Sequence, residues 1–339
     1  MSNALPTEFS ALVAEGDQTA VRMEHRRIGA DFLPAGDVTI QVEYSSANFK
    51  DALAITPGGG VVREYPMIPG IDLAGTVVDS ASDRFPVGTK VLAHGYTIGT
   101  GTHGGYSEYA RVPEGWVVPL EGLDAKEAMA IGTAGFTAAM SVQAIQRHGI
   151  TPSDGPILVT GASGGVGSVS VDLLAGLGYE VVASTGKKDA TEFLTGLGAA
   201  EVIGRMPEDP DEKIKALGKS RWAAGVDSTG GRGLAYLLST LNYGGIVAAS
   251  GLTGGTSLPT TVMPFILRGV TLKGIDSVQL GIDARRELWH RIGTDLRPRH
   301  LDALTNEHAV ADVEAVLKSI SDGTHTARSV IRVRGGFSA

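Results

Sequence analysis

The chain has 339 residues, a length that suggests two domains, each with a core of its own. Acidic residues outnumber basic ones by 37 to 29, so the formal net charge is -8 and the chain lacks the cationic field that a nucleic-acid partner requires. The absence of cysteine excludes disulfide bonds, thiolate zinc sites, iron–sulfur clusters and a cysteine nucleophile.

The N-terminal residues lack the basic start and apolar stretch of a secretory signal, so a cytoplasmic location is the default expectation. Residues 128–146 carry no charge and need checking as a membrane span. Their glycines and hydroxyl groups make them too weakly apolar for lipid. We therefore expect a buried, alanine-rich helix here and no membrane partner.

The first third of the chain predicts β-structure. Residues 38–44 alternate apolar and polar side chains, residues 75–78 and 90–93 are rich in β-forming residues, and glycine and proline separate these runs. This pattern is typical of a barrel-like or sandwich domain. Residues 326–334 alternate in the same way, so they could rejoin this domain from the other end of the chain.

From about residue 156, short apolar strands alternate with helical segments of about 10 to 15 residues. This alternation predicts a parallel sheet with helices on both faces, followed by a helix that contains Trp289. The expected strands cover residues 156–160, 180–184, 201–203, 225–228, 245–250 and 271–276.

The first of these strands runs directly into a glycine-rich turn and then into a helical pattern, over residues 156–167. Gly161 permits a tight turn, Gly164 and Gly165 let the backbone approach a pyrophosphate, and Gly167 lets the helix pack closely on the strand. The N-terminus of the helix would supply N–H groups and the positive end of its dipole. The pattern predicts a dinucleotide site, with a purely structural turn as the alternative.

The end of the second strand indicates which dinucleotide is bound. Residues 183–188 read Ala-Ser-Thr-Gly-Lys-Lys, without the acidic residue that an NAD site places there. Hydroxyl and ammonium groups suit a 2′-phosphate, so NADP is favoured over NAD. Lys188 is more readily explained as the solvated start of a helix, and Arg205, after the third strand, either reaches the same phosphate or lies at the surface.

The two domains and their order resemble the medium-chain dehydrogenase/reductase superfamily. Residues 69–75 correspond to the stretch that holds a Gly-His-Glu motif in its zinc alcohol dehydrogenases, but Ile71 stands at the histidine position and offers no lone pair. His94 and His103 lack the spacing of metal ligands. The resemblance therefore implies the zinc-free, quinone-oxidoreductase-like branch.

Within that branch, five motifs resemble the NADPH-dependent acrylyl-CoA reductases. The resemblance implies an α/β fold with a GroES-like β-barrel catalytic domain and a doubly wound Rossmann domain that binds NADP. It also implies a homodimer that reduces the carbon–carbon double bond of acryloyl-CoA to propanoyl-CoA by hydride transfer to the β-carbon, without a metal. The motifs are residues 48–54, 63–72, 129–138, 264–270 and 274–278; the expected domains are residues 1–128 with 279–339, and residues 129–278.

The same resemblance assigns cofactor contacts residue by residue. The family usually has tyrosine at Phe49, so a role of that hydroxyl is lost while stacking near the nicotinamide remains open. It usually has arginine at Lys187, so a point charge replaces bidentate bonding. The implied contacts are Ser163, Gly164, Gly165 and Val166 at the pyrophosphate, Thr185, Gly186 and Lys187 at the 2′-phosphate, and Phe49, Thr133, Arg205, Leu252, Ser277 and Arg328 as further candidates.

Several of these residues have simpler interpretations. Thr133 could bond a phosphate or the carboxamide, or only cap a helix. Leu252 could lie in a plain glycine-rich loop, and Ser277 could stabilise a turn.

Reduction of an enoyl thioester also needs a group that stabilises charge on the thioester oxygen and a proton for the α-carbon. Asn48 is the first candidate for the oxygen, against a role in capping the backbone. Tyr65 is the candidate proton donor, because Phe49 removes the other motif tyrosine; a structural tyrosine next to Pro66, or a bound water as the donor, are the alternatives.

Two other functions remain open. An NADPH-dependent quinone or alkenal oxidoreductase keeps the hydride chemistry but changes the acceptor. A non-catalytic NADP-binding protein, like the lens zeta-crystallins of this superfamily, would bind the cofactor without turnover.

Overall fold

The computed structural model describes residues 5–209 and 211–337. The expectation that the chain lacks a secretory signal was based partly on residues 1–4, which lie outside the described residues. The chain divides into two compact units, here called the β unit and the α/β unit. The expected domain limits differ from this division at residues 129–133, 278 and 295–304. The β unit is Met1–Thr133, Val278–Thr294 and Thr305–Ala339; the α/β unit is Ala134–Ser277 and Asp295–Leu304.

The strands of the described residues are, in chain order, β1 (Phe9–Gly16), β2 (Val21–Ile28), β3 (Val38–Ala47), β4 (Asp72–Ser80), β5 (Lys90–His94), β6 (Tyr109–Val112), β7 (Val117–Pro119), β8 (Ile157–Thr160), β9 (Val181–Ser184), β10 (Glu201–Ile203), β11 (Trp222–Asp227), β12 (Leu241–Ala249), β13 (Thr271–Gly274), β14 (Thr305–Ala309) and β15 (Arg328–Arg332). The α-helices are α1 (Phe49–Ala54), α2 (Ala125–Arg147), α3 (Gly165–Gly176), α4 (Thr191–Gly196), α5 (Gly231–Thr240), α6 (Met263–Arg268), α7 (Ile282–Gly293), α8 (Leu301–Leu304) and α9 (Val313–Ser321).

The β unit is built on a seven-stranded sheet in the order β14-β15-β3-β4-β5-β7, with β6 also paired to β3, and on the two-stranded pair β1-β2. The alternating residues of β3 bury Val38, Ile40 and Val42 in one apolar cluster. The late strand β15 pairs antiparallel with β3. The prediction that residues 326–334 rejoin the N-terminal domain is therefore confirmed.

The α/β unit contains a six-stranded parallel sheet in the order β10-β9-β8-β11-β12-β13. Numbered within the unit, this is the order 3-2-1-4-5-6 of a doubly wound dinucleotide-binding sheet. Every residue of β8 and β9 is buried, as strands covered on both faces should be. The predicted Rossmann fold is confirmed, and each of its six expected strands is present with ends shifted by a few residues.

The predicted alanine-rich helix is present as α2. By length and composition it is the one helix of the described residues that could cross a membrane, but 78% of its most apolar window is buried inside the protein. Its backbone leaves the helical conformation at Gly132, with φ 52° and ψ -161°. The predicted helix over residues 128–146 did not include this interruption, although one interpretation of Thr133 was a helix cap at this point.

Candidate active site

The glycine-rich turn joins β8 to α3 as the sequence predicts. Gly161 adopts a positive φ of 59°, and a Cβ there would lie 2.6 Å from Ser228 Oγ. A Cβ on Gly167 would collide with the Gly161 carbonyl, so glycine is what lets α3 approach the turn. α3 begins after Gly164, which provides no side-chain cap, so its first N–H groups receive no cap from that position.

Two of the predicted cofactor contacts meet beside this turn. Ser163 Oγ and Thr185 Oγ1 lie 2.9 Å apart, and Thr185 Oγ1 accepts a hydrogen bond from the backbone N–H of Lys187 at 3.2 Å. Ser163 comes from the turn after the first strand and Thr185 follows the second strand. Parallel pairing of β8 with β9 brings these carboxyl-terminal ends to one edge of the sheet.

The cationic candidates gather at the same edge. The guanidinium of Arg205 lies against Gly186, where a Cβ would collide with Nε, so a side chain at Gly186 would displace it. Burial lowers the pKa of Lys187, and the nearby charge of Arg205 lowers it further, although Asp189 acts in the opposite direction. Two neighbouring cations on a partly buried edge are suited to a dianion such as a phosphate monoester.

The remaining candidates of the α/β unit are less closely grouped. Leu252 is 56% exposed in the loop after β12, where its carbonyl accepts from the Gly255 N–H at 2.9 Å. Ser277 is buried and accepts a hydrogen bond from Thr137 Oγ1 at 2.9 Å. Val166 lies in the first turn of α3. This bond links Ser277 to α2 rather than to a residue of its own turn, and its cofactor role stays a prediction.

In the β unit, a buried carboxylate organises the other candidates. Asp72, at the start of β4, is fully buried and accepts hydrogen bonds from Ser46 Oγ, from Asn48 Nδ2 at 2.9 Å, and from both the backbone N–H and the hydroxyl of Thr133. Burial alone would raise the pKa of Asp72, but the neighbouring His94, the hydrogen bonds from Ser46 and Thr133 and the charge of Arg328 hold it below its ordinary value.

Arg328, at the start of β15, completes this cluster. Its guanidinium donates to the Ala130 carbonyl at 3.0 Å, to Ser46 Oγ at 3.1 Å and to Asn48 Oδ1 at 3.3 Å. Only 2% of Arg328 is exposed. The predicted residues Asn48, Thr133 and Arg328 are thus brought together, but the donors of Arg328 are directed to groups within the β unit.

Asn48 is held by more acceptors than its amide has hydrogens. Its Nδ2 lies within 3.2 Å of Ser46 Oγ, Asp51 Oδ2 and Asp72 Oδ2, and its backbone N–H donates to Asp51 Oδ2 at 2.9 Å. Asn48 and Asp51 form a capping box at the start of α1, as the capping interpretation requires. Phe49 follows directly and is 38% exposed.

Asp51 ties α1 to the segment before β4. Its Oδ1 accepts from the backbone N–H groups of Gly70 at 3.1 Å and Ile71 at 2.8 Å. Burial raises the pKa of Asp51 to about 7, and the neighbouring charge of Asp72 contributes to the rise.

Tyr65 does not belong to the Asp72 cluster. Its hydroxyl donates to the Ala54 carbonyl at 3.0 Å, and its ring packs beside the small apolar cluster of Ala54, Val62 and Met67. Burial raises its pKa. These contacts tie Tyr65 to the end of α1 rather than to the Pro66 turn, and its role as proton donor stays a prediction.

Sequence reasoning missed Ser46, Asp72 and the partners of His94. An acidic residue directly before the apolar pair Leu73 and Ala74 was the available signal for Asp72. Within residues 5–209 and 211–337, no three histidine, aspartate or glutamate side chains are grouped to hold a metal ion. Ile71, at the position where the zinc alcohol dehydrogenases have a histidine ligand, is buried.

Comparisons with known proteins agree with this geometry. Family models for the alcohol dehydrogenase GroES-like domain and for zinc-binding dehydrogenases match residues 34–122 and 165–293. The chain is 46% identical over 329 residues to the acrylyl-CoA reductase AcuI of Ruegeria pomeroyi, covering 96% of this chain and 99% of AcuI. It is 48% identical over 332 residues to YhfP of Bacillus subtilis, covering 97% and 100%, whose name assigns it provisionally to the quinone oxidoreductases.

Solved structures give the same result. The crystal structure of Escherichia coli YhdH with bound NADPH superposes with a TM-score of 0.92 at 44% identity, covering 95% of this chain and 99% of YhdH. That of YhfP with NAD bound superposes with a TM-score of 0.93 at 48% identity, covering 96% and 100%. The fold and glycine-rich site are those of a Rossmann-type oxidoreductase, and the chain belongs to the medium-chain dehydrogenase/reductase superfamily. Within it, the chain falls in the zinc-free group that resembles AcuI.

Proposed function

We propose that this protein is an NADPH-dependent reductase that converts acryloyl-CoA to propanoyl-CoA. The observation that carries the proposal is the 46% identity to an acrylyl-CoA reductase over essentially the whole of both chains. The similarity to the zinc-free oxidoreductases and the doubly wound sheet support hydride transfer from a nicotinamide cofactor. The five sequence motifs support an enoyl thioester as the hydride acceptor.

The cofactor proposal rests on the edge formed by Thr185, Gly186, Lys187 and Arg205. β9 ends without an acidic residue, and Lys187 and Arg205 supply positive charge beside this strand end, which supports a 2′-phosphate contact. YhdH has been crystallised with NADPH, whereas YhfP has been crystallised with NAD. We therefore expect NADPH to bind more tightly than NADH, by a margin that depends on these two cations.

When bound, NADPH supplies a hydride to the β-carbon of the substrate. Asn48 is the proposed donor to the thioester oxygen, where negative charge develops. Its Nδ2 has three internal acceptors for two hydrogens, so one hydrogen can exchange its acceptor for the substrate oxygen. Tyr65 is the proposed proton donor, and it must release the Ala54 carbonyl to act; a bound water is the alternative source.

We also propose a homodimer in the cytoplasm. Val262, Met263, Ile266 and Leu267, on and beside α6, are exposed. β13 is the end strand of its sheet and pairs only with β12 among the described strands. An open strand edge next to apolar side chains favours pairing with a second copy, which light scattering would test.

The principal test is to follow NADPH absorbance with acryloyl-CoA, crotonyl-CoA, free acrylate and benzoquinone in turn. The proposal expects rapid oxidation with acryloyl-CoA and little with free acrylate or quinone. Oxidation with the quinone alone would instead establish the quinone oxidoreductase function that the name of YhfP suggests. Binding of NADPH without turnover of any acceptor would indicate the non-catalytic alternative.

A further inference from the structure

Thr133 occupies a fixed position directly after the interruption of α2. Gly132 has a positive φ, and a Cβ there would lie 2.6 Å from both Asp72 Oδ2 and Arg328 Nη2. Glycine therefore lets the chain pass close enough for the Thr133 N–H to donate to Asp72 Oδ2 at 3.0 Å and for its hydroxyl to bond Asp72 Oδ1. Thr133 is partly exposed, whereas Asp72 is fully buried, so a ligand can reach Thr133.

A buried histidine approaches the same hydroxyl from the other side. His94, the last residue of β5, is fully buried, and its Nδ1 lies 3.1 Å from Thr133 Oγ1. Its Nε2 lies 2.8 Å from the indole nitrogen of Trp289, which can only donate. Nε2 must therefore be the acceptor, and the hydrogen of the neutral ring is on Nδ1.

The charge state of His94 agrees with this assignment. Burial lowers the pKa of His94 to about 3, and the neighbouring guanidinium of Arg285 contributes to the decrease, although the Asp72 carboxylate acts in the opposite direction. Arg285 Nη1 lies 3.0 Å from Nε2 and 3.1 Å from Nδ1, so a buried cation faces both ring nitrogens and disfavours a positive charge on the ring. The imidazole is therefore neutral at physiological pH.

The short Trp289 bond to Nε2 sets a direction for the series of side chains from Trp289 through His94 and Thr133 to Asp72. Trp289 donates to His94, His94 donates through Nδ1–H to Thr133, and Thr133 uses its only hydroxyl hydrogen toward the Asp72 carboxylate, which can only accept. Whatever else Thr133 contacts, its hydroxyl oxygen can only accept. A phosphate oxygen at neutral pH cannot donate, whereas an amide N–H can.

We propose that Thr133 accepts a hydrogen bond from the carboxamide N–H of the nicotinamide and makes no phosphate contact, and that His94 and Trp289 are the positioning residues that impose this direction. The proposal rests on the proposed NADPH-dependent function. It separates two ligand groups, phosphate and carboxamide, between which the sequence could not choose at Thr133.

Binding measurements with three ligands test the contact. They are NADPH, its reduced acetylpyridine analogue, in which a methyl ketone without N–H replaces the carboxamide, and 2′-phospho-ADP-ribose, which lacks the nicotinamide. We expect Thr133→Val to weaken NADPH about tenfold, the loss of roughly one hydrogen bond, and to leave 2′-phospho-ADP-ribose unchanged. The wild type should prefer NADPH over the analogue by a similar factor; Thr133→Ser should keep that preference and Thr133→Val should abolish it.

Two outcomes would overturn the contact: equal weakening of NADPH and 2′-phospho-ADP-ribose in Thr133→Val, which indicates a phosphate contact, or equal wild-type affinity for NADPH and the analogue. None of these measurements uses acyl-CoA. Absence of turnover with acryloyl-CoA, together with intact discrimination between the ligands, would therefore refute the proposed substrate and leave the Thr133 contact standing.

Nitrogen NMR of the wild type, labelled with ¹⁵N-histidine, tests the direction. We expect one neutral histidine with its hydrogen on Nδ1 that does not titrate between pH 5 and pH 8, a window well above the pKa of about 3. His94→Gln identifies this signal by its loss and, because the glutamine amide can still donate to Thr133, should retain the preference for NADPH over the analogue. Trp289→Phe should let the hydrogen move to Nε2. A hydrogen on Nε2 in the wild type, or a charged His94 at pH 7, would refute the positioning role.

Discussion

Replacement of Asp72 by asparagine would test the buried cluster that holds the candidate residues of the β unit. Asparagine keeps the size of the side chain and one oxygen. If the asparagine oxygen takes the position of Asp72 Oδ2, it still accepts hydrogen bonds from Ser46, Asn48 and the backbone N–H of Thr133. The asparagine NH2 group then takes the position of Oδ1 and cannot accept the hydrogen bond from the Thr133 hydroxyl. The lost hydrogen bond costs about 1 kcal/mol.

The larger effect is electrostatic. Arg328 is buried, and Asp72→Asn removes the carboxylate whose charge stabilises its guanidinium. Removal of one partner of a buried pair costs about 3–5 kcal/mol, because the other charge remains without compensation. We therefore expect Asp72→Asn to lower the free energy of unfolding by about 4–6 kcal/mol in total.

Urea unfolding at 25 °C, followed by circular dichroism and tryptophan fluorescence, measures this loss. Asp79→Asn is the matched control, because Asp79 is exposed on the same strand and should change the free energy by less than about 0.5 kcal/mol. The double variant Asp72→Asn with Arg328→Gln should recover part of the loss, since it removes the uncompensated cation. If Asp72→Asn were as mild as Asp79→Asn, the cluster would not be held by its charges.

Three further changes have defined outcomes. Lys187→Glu should weaken NADPH at least tenfold more than NADH in fluorescence titrations, with Lys188→Glu as the weaker control; equal loss of both cofactors would remove Lys187 from the 2′-phosphate. Gly132→Ala should lower the free energy of unfolding by about 1–3 kcal/mol through backbone strain, and no change in a thermal melt would contradict the close contact with Asp72. The pKa of Asp51 is raised to about 7, so between about pH 4 and pH 7 the native state keeps a proton that the unfolded chain has lost. The free energy of unfolding should therefore fall as the pH rises through this range, by up to ~1.4 kcal/mol per pH unit. Asp51→Asn should remove this slope in urea unfolding at several pH values.

The dinucleotide site could be predicted from the sequence because its determinants are local. The strand, the glycines and the following helix are contiguous, and the carboxyl ends of parallel strands meet at one edge, so Ser163 and Thr185 could be placed together without coordinates. The clustering of Lys187 with Arg205 follows from the same topology.

The buried cluster could not be predicted, because its members come from distant parts of the chain. Arg328 and Ser46 are 282 positions apart and meet only because Ser329 pairs with Ala47 in the sheet. The interruption at Gly132 was equally hidden, since one glycine in an apolar helical pattern does not reveal that a carboxylate from another strand needs the space.

The same cluster bears on how charge on a thioester oxygen is stabilised by this chain's own groups. Arg328 donates to Asn48 Oδ1 at 3.3 Å, and a cation at the carbonyl end of an amide polarises it and strengthens its N–H groups as donors. If Asn48 donates to the substrate as proposed, Arg328 acts through Asn48 while remaining buried. Arg328→Gln should then lower kcat more than it raises KM for NADPH, whereas a direct cofactor contact would raise KM first.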